Sequence, residues 1–185
     1  MKTLYIERST GECRSGDWVE KLDLSEKPDR IVVGTGPGSF AGIRSALAFA
    51  QGYAIGSGCE VLGLPSACAL AQAGKRIAVI GDARRGKLWV ALFDGFSLVR
   101  DVFQINQSEL TGSVPSGNVW TAPEGWLVTT PDEARIGEIL KSVFGERYIG
   151  GRSPTAEGLK AFAEANPSIL KPEPLPIYLN PAVRD

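Results

Sequence analysis

The sequence predicts an α/β or mixed α+β sheet protein built around the Gly34–Arg44 turn, outside the reach of histidine chemistry. Three observations carry this. Ile31-Val32-Val33, a buried-strand signature, runs straight into the turn GTGPGSF and a long helical stretch. A meander of apolar segments follows between residues 76 and 103, and histidine is absent from the whole chain.

The first strand is Thr3–Glu7, a short β-compatible run ending in polar turn residues. Residues 11–30 are polar and weakly patterned, with room for one return strand around Trp18–Leu22. After Ile31–Val33 and the glycine turn, a helix is expected from near Ser39 to about Ile55, stopped by Gly56 and Gly58. Cys59–Leu64 reads as a buried strand, and Ser66 as the N-cap of a short helix over Ala67–Ala73. Arg76–Gly81 and Lys87–Phe93 are apolar strands joined by the hairpin Asp82-Ala83-Arg84-Arg85-Gly86, and Asp94-Gly95 turns the chain into Ser97–Phe103. From Thr111 to Thr130 the pattern loosens into Gly, Pro and Ser with Trp120 and Trp126, which are expected to pin the loop to the core. Pro131 starts a helix over Asp132–Phe144 with acidic residues in its first turn, and a last helix, Thr155–Ala165, precedes a proline-rich tail.

Composition narrows function by exclusion. The 185 residues suffice for one ordinary domain or two small lobes, and the net charge of −1 gives no overall field to gather nucleic acid or an anionic membrane. The start, MKTLYIERST, lacks the apolar core of a signal peptide, and the most apolar window, Ala41 to Ile55, holds Arg44 and Gln51 and is too short for a membrane span. Three cysteines (Cys13, Cys59 and Cys68) without C-x-x-C spacing argue against a disulfide framework or zinc ribbon and fit a cytoplasmic location. Without histidine there is no Ser-His-Asp triad, Cys-His pair, HExxH zinc site or imidazole base. Carboxylate and lysine chemistry remain open. No catalytic residue, metal site or resident cofactor is assigned.

The turn Gly34-Thr35-Gly36-Pro37-Gly38-Ser39 lies where phosphate loops occur, at a strand-to-helix junction. Its spelling fails two nucleotide fingerprints: no GK[ST] precedes the helix, and Ser39 stands where the dinucleotide pattern needs its third glycine. Pro37 also removes an amide donor. The other reading is a tight turn in which Ser39 caps the helix. That helix is apolar nearly all round, with Arg44 and Gln51 as its polar stripe, so it is either deeply buried or covered by another chain. Phe40, Ile43, Arg44, Leu47, Ala48 and Gln51 are the candidate partner surface. Arg84, Arg85 and Lys87 crowd cations around a turn, either a solvated tip or a contact for RNA phosphate or an acidic protein surface. Glu7 is a candidate ligand or base, although carboxylates at strand ends are mostly exposed.

Four segments together resemble the bacterial TsaB (YeaZ-like) family. Ile31–Ala71, IVVGTGPGSFAGIRSALAFAQGYAIGSGCEVLGLPSACALA, is similar to that family's strand, G-x-GPGSF-T-G-[LI]-R turn and following helix. Ile80–Gly95, IGDARRGKLWVALFDG, resembles its DARRGE segment, LYIERST its I-x-x-IDTST strand, and PLPIYLNPAV its terminal P-x-YLR-x-P-A. The resemblance implies an actin-like ATPase (ASKHA, ribonuclease H-like) fold of two related lobes and no independent activity. It implies a non-catalytic paralogue of TsaD, the subunit that modifies N6 of adenosine 37 in tRNAs reading ANN codons. A TsaD-like subunit would be the partner, a TsaE-like ATPase would join, and tRNA would be met through the complex. ATP or ADP would bind only weakly, at an interface of that complex. TsaD's histidine-held metal cannot be reproduced in a chain without histidine. Residual nucleotide binding through Gly34–Ser39 and Glu7, or self-association of a shortened paralogue, are the alternatives.

The departures set two further expectations. Glu7 and Arg8 stand where the family has Asp and Thr. The family lobe carries two strands and a helix between its first strand and the glycine turn, which needs roughly 40 residues, and residues 11–30 offer half of that. The first lobe, residues 1–95, is therefore expected to lack its first helix. Residues 96–185 would form a smaller lobe whose tail returns toward the first.

Overall fold

Strand β1 (Thr3–Ile6) runs parallel to β2 (Arg30–Gly34), which runs parallel to β3 (Glu60–Leu64), and a two-residue strand far along the chain, Lys171–Pro172, closes this sheet antiparallel to β3. The computed structural model describes residues 1–10, 22, 24, 25, 27–111 and 119–179. The expected return strand and the expected loss of a helix both fall on residues 11–30, most of which lie outside the described residues.

The parallel strands need cover on both faces, and their alternation supplies it. Ile6, Ile31 and Val33 point to the face packed by helix α1 (Phe40–Ser57) through Ile43, Ala46, Leu47 and Ala50. Tyr5, between Leu4 and Ile6 and therefore on the opposite face, lies near Glu164 of a later helix (Ala156–Ala165) whose Leu159 and Phe162 are fully buried. Ser39 caps α1 by accepting from the Gly42 amide, and Gly58, with φ of 71°, ends it by donating to the Ala54 carbonyl.

Ser66–Leu70 is one 3₁₀ turn where a short helix was expected. A second sheet follows: β4 (Arg76–Arg84), β5 (Lys87–Asp94) and β6 (Ser97–Asn106) form the expected antiparallel meander. The region expected to be loose contains β7 (Leu127–Thr130), which joins β4 in parallel, and β8 (Tyr148–Gly151) extends the sheet beyond it. A short helix α2 (Gln107–Thr111) follows β6, and α3 (Glu133–Phe144) buries Ile136, Leu140 and Phe144 on Ala78, Ile80, Leu88, Val90 and Val128. Trp120 packs edge-on against Phe103, its ring centroid 6.0 Å away, and Trp126 is buried, so both tryptophans anchor their segment as expected. In chain order the last helix is α4 (Ala156–Ala165) and the last strand β9 (Lys171–Pro172).

Two compact units result, Met1–Ala69 with Pro154–Ile177, and Leu70–Ser153 with Tyr178–Asp185. The boundary expected after residue 95 differs from this division. It falls between β5 and β6, which are hydrogen-bonded neighbours up to Asp94↔Ser97 and belong to one sheet.

Candidate functional site

The glycine turn is packed against the chain's own first strand. Beyond Ile6 the backbone passes Glu7, Arg8 and Ser9 alongside it, and the Ser39 amide donates to the Ser9 carbonyl at 2.5 Å. A methyl group at Gly34 would overlap the Glu7 carboxylate, one at Gly38 the Ser9 carbonyl, and one at Gly42 the Arg8 carbonyl. Gly36, with φ of +92° and a cis bond to Pro37, has the Ile43 side chain 2.6 Å from where a Cβ would stand. Protein atoms thus crowd the positions where a Cβ would stand at Gly34, Gly36 and Gly38.

The amides of Thr35, Gly36 and Ser39 are committed as well. Thr35 N donates to the Leu64 carbonyl at 2.9 Å, and Gly36 N to Ser66 Oγ at 2.9 Å, while Ser66 N donates back to the Gly36 carbonyl at 2.7 Å. Thr35 Oγ1 donates to Leu64 O, and the Thr35 carbonyl accepts from Ile177 N at 2.8 Å. Pro37 has no amide to offer.

Glu7, expected to be exposed, has its carboxyl turned inward. Oε1 accepts the Ser9 amide at 2.5 Å, and Oε2 is closed to solvent with no hydrogen-bond partner among the described residues. Burial pushes this carboxyl above the ordinary glutamate range, against the opposing pull of donors from Ser9, Ser66 and the Arg8 backbone.

Helix α1 sorts the candidate partner surface in two. Ile43 and Leu47 are 2% and 4% exposed and belong to the core, so they are not available to a partner. Phe40, Arg44, Ala48 and Gln51 are exposed, and Ala41, Gly52, Ile55 and Gly56 continue the same stripe along one helix face. Phe40 is 56% exposed with the Arg44 guanidinium 5.0 Å from its ring centroid, and Ile55 is 89% exposed. Ile55, which the helical spacing puts on one face with Ala41, Ala48 and Gly52, was not among the candidate partner residues; the helix runs two residues beyond it, to Ser57.

In the second unit the β4–β5 connection is tighter than the expected five-residue turn. Arg84 pairs with Lys87, leaving a two-residue loop, and Arg84, Arg85 and Gly86 all have positive φ, at 68°, 54° and 72°. Arg84, Arg85 and Lys87 are exposed. Asp82 accepts the Arg84 amide at 2.7 Å and lies 3.5 Å from its guanidinium, while Asp132 accepts the Asp82 amide at 2.9 Å. Arg135 spans both acids, 3.4 Å from Asp82 and 3.7 Å from Asp132. Burial raises the Asp132 carboxyl, and the Asp82 amide holds it down. Among the described residues no group of three His, Cys, Asp or Glu side chains is placed to hold a metal ion, and no helix is long and apolar enough to cross a membrane.

Residues 17–107 match the family model of TsaD, tRNA N6-adenosine threonylcarbamoyltransferase. No curated protein matches the chain by sequence. YeaZ from Pseudomonas aeruginosa superposes on 97% of the chain and over all of its own length, at a TM-score of 0.67 and 21% identity. The fold is that of YeaZ. A second Pseudomonas aeruginosa crystal structure, of a protein described as similar to peptidase YeaZ, covers the same 97% at a TM-score of 0.66 and 20% identity. The YeaZ-like architecture is the expected actin-like α/β fold, and the family-model match spans the glycine turn, α1 and the basic hairpin together.

Proposed function

We propose that this chain is a TsaB-like, non-catalytic scaffold subunit of the machinery that makes N6-threonylcarbamoyladenosine at position 37 of ANN-decoding tRNAs. It pairs with a TsaD-like catalytic subunit, is joined by a TsaE-like ATPase, and meets tRNA through that cytoplasmic complex. One observation carries the non-catalytic part. The Gly34–Ser39 turn, at a strand-to-helix junction of the kind that can hold phosphate, is packed by Glu7, Ser9 and Ile43, and the amides of Thr35, Gly36 and Ser39 are spent within the chain. On this reading the chain holds no resident cofactor, and ATP or ADP binds weakly, at an interface of the complex.

The outward stripe of α1 supports docking. Phe40, Ala48 and Ile55 present apolar surface, with Arg44 and Gln51 to fix orientation, and Gly52 and Ala48 let a second helix approach closely. Co-expression with the TsaD-like protein of the same organism tests this. The expected result is a stable complex that Ala48→Arg disrupts without unfolding the chain. A chain that stays monomeric beside TsaD-like and TsaE-like proteins with nucleotide refutes the reading. Self-association through α1 would instead appear as a homodimer abolished by the same substitution. The alternative is residual nucleotide binding through Gly34–Ser39 and Glu7. Calorimetry of the isolated chain with millimolar ATP and ADP decides it, and heat of binding there would displace the scaffold reading.

A further inference from the structure

The β4–β5 hairpin carries cations that the pairing role of α1 does not use. We infer that its tip, Arg85 and Lys87 with Arg84 behind them, is a phosphate-backbone contact for RNA, which rests on the proposed role in tRNA modification. Three features of the tip point the same way. Its cations are in excess: Arg84, Arg85, Lys87 and Arg135 face two acids, Asp82 and Asp132, both of which are engaged at the root of the hairpin by backbone amides and by Arg135. Arg85 and Lys87 are exposed and, among the described residues, have no acidic partner. Guanidinium groups present planar donor pairs that suit phosphate oxygens.

The backbone is held for presentation. Arg85 and Gly86 occupy the two central positions of the hairpin loop with φ of 54° and 72°, and Arg84 precedes them at 68°. Side chains other than Asn, Asp or Gly are disfavoured there, so two successive arginines sit where local preference calls for other residues. The loop is clamped at its base by Gln107 N donating to the Gly86 carbonyl at 2.8 Å and by Asp82 accepting the Arg84 amide. A clamped backbone spares the complex the cost of ordering the loop itself.

The chemistry also limits what is read. No aromatic side chain of residues 82–88 is available to stack a base, and cations on phosphates position a nucleic acid without reading its sequence. The tip therefore contributes affinity and orientation across many tRNAs. An acidic protein surface is the competing occupant, and salt dependence on RNA separates the two.

The test compares wild type with the double variant Arg85→Ala and Lys87→Ala, both as the isolated chain and co-purified with the TsaD-like protein. Arg84 is left in place because it is tied to Asp82. The probe is an unmodified ANN-reading tRNA, titrated over a salt series. In both forms the variant is expected to bind on the order of tenfold more weakly, with the slope of log affinity against log salt reduced by roughly 1.5, that is 0.7–0.9 per cation. Circular dichroism and co-purification should be unchanged. Equal affinity and slope for the two proteins, or no tRNA binding by wild type at low salt, overturns the inference. Loss of co-purification with unchanged RNA binding assigns the tip to a protein partner and overturns it too. If wild type fails to co-purify with the TsaD-like protein, the proposed function falls, while the slopes of the isolated chain still decide the hairpin.

Discussion

Gly42 and Gly52 lie in the same helix, ten positions apart, and the same substitution is expected to shift stability in opposite directions at the two sites. At Gly52 an added Cβ meets nothing within 4 Å, so Gly52→Ala removes backbone freedom from the unfolded chain at no steric cost. Helix propensity puts the gain at roughly 0.5–1 kcal/mol. At Gly42 the same propensity gain applies, but the new methyl would overlap the Arg8 carbonyl oxygen, which is backbone and cannot rotate aside. Relieving that overlap moves residues 8 and 9 away from the helix, at an overpacking cost of about 1–3 kcal/mol. The bond from Ser39 N to Ser9 O is strained or lost with it, about 1 kcal/mol more. Net destabilisation of about 1–3 kcal/mol remains once the propensity gain of about 1 kcal/mol is subtracted. Urea unfolding of wild type, Gly42→Ala and Gly52→Ala reads this directly, with Gly42→Ala unfolding at lower urea and Gly52→Ala at higher urea than wild type. If Gly42→Ala matches or exceeds wild type, the turn is not sealed by the first strand, and the reason for denying it a phosphate fails as well.

Leu47→Ala should cost about 2–5 kcal/mol in denaturant unfolding, because its side chain lies in the core against β2, whereas Ala48→Arg should stay within about 0.5 kcal/mol and act only on complex formation. The Glu7 carboxyl is raised by burial, so in the folded state it keeps a proton that the unfolded chain releases near its ordinary value of 4.5. Its contribution is fully present below that pH and is lost as pH rises through the higher folded value. Glu7→Gln should therefore gain on wild type as pH is raised from 4 toward 8, and a stability difference that stays flat across that range would contradict a buried neutral acid. Arg85→Asn relieves the left-handed backbone at φ of 54° and should stabilise the chain by roughly 0.5–1 kcal/mol while weakening RNA binding. Thermal unfolding and tRNA titration of that one variant would expose such a trade of stability for function.

The segment from Ile31 to Leu64 was legible because each local signal agrees with the fold: an apolar β-branched run, glycines at the bend, a serine cap and a glycine stop. The buried side of α1 was not. Ile43 and Leu47 were grouped with Ala48 and Gln51 because two polar side chains, Arg44 and Gln51, among alanines and glycines give too little contrast to mark which side is the core. Strands β7 and β8 were missed for a different reason. Leu127–Thr130 is four residues long, Tyr148–Gly151 ends in two glycines, and both are strands because of a neighbour distant in sequence. Two residues of β9 carry no signal at all. The inward turn of Glu7 was hidden because a carboxylate at a strand end reads as solvent-facing, and only the packing of residues 7–9 against Gly34 and Gly38 reverses that.

The first unit is assembled from two stretches of chain separated by the entire central part of the second. One face of its parallel sheet is closed by Leu159 and Phe162, and its last strand is Lys171–Pro172. During synthesis at roughly 5–20 residues per second, about 5–20 seconds pass between the emergence of β3 and that of α4. Throughout that interval α1 is, among the described residues, the one helix available to cover the nascent sheet, while the meander of the second unit, continuous in sequence, can already complete itself. The order of birth thus leaves an apolar surface waiting on the ribosome, and a ribosome-bound chaperone should engage chains stalled between residues 70 and 150 more strongly than chains stalled after 177.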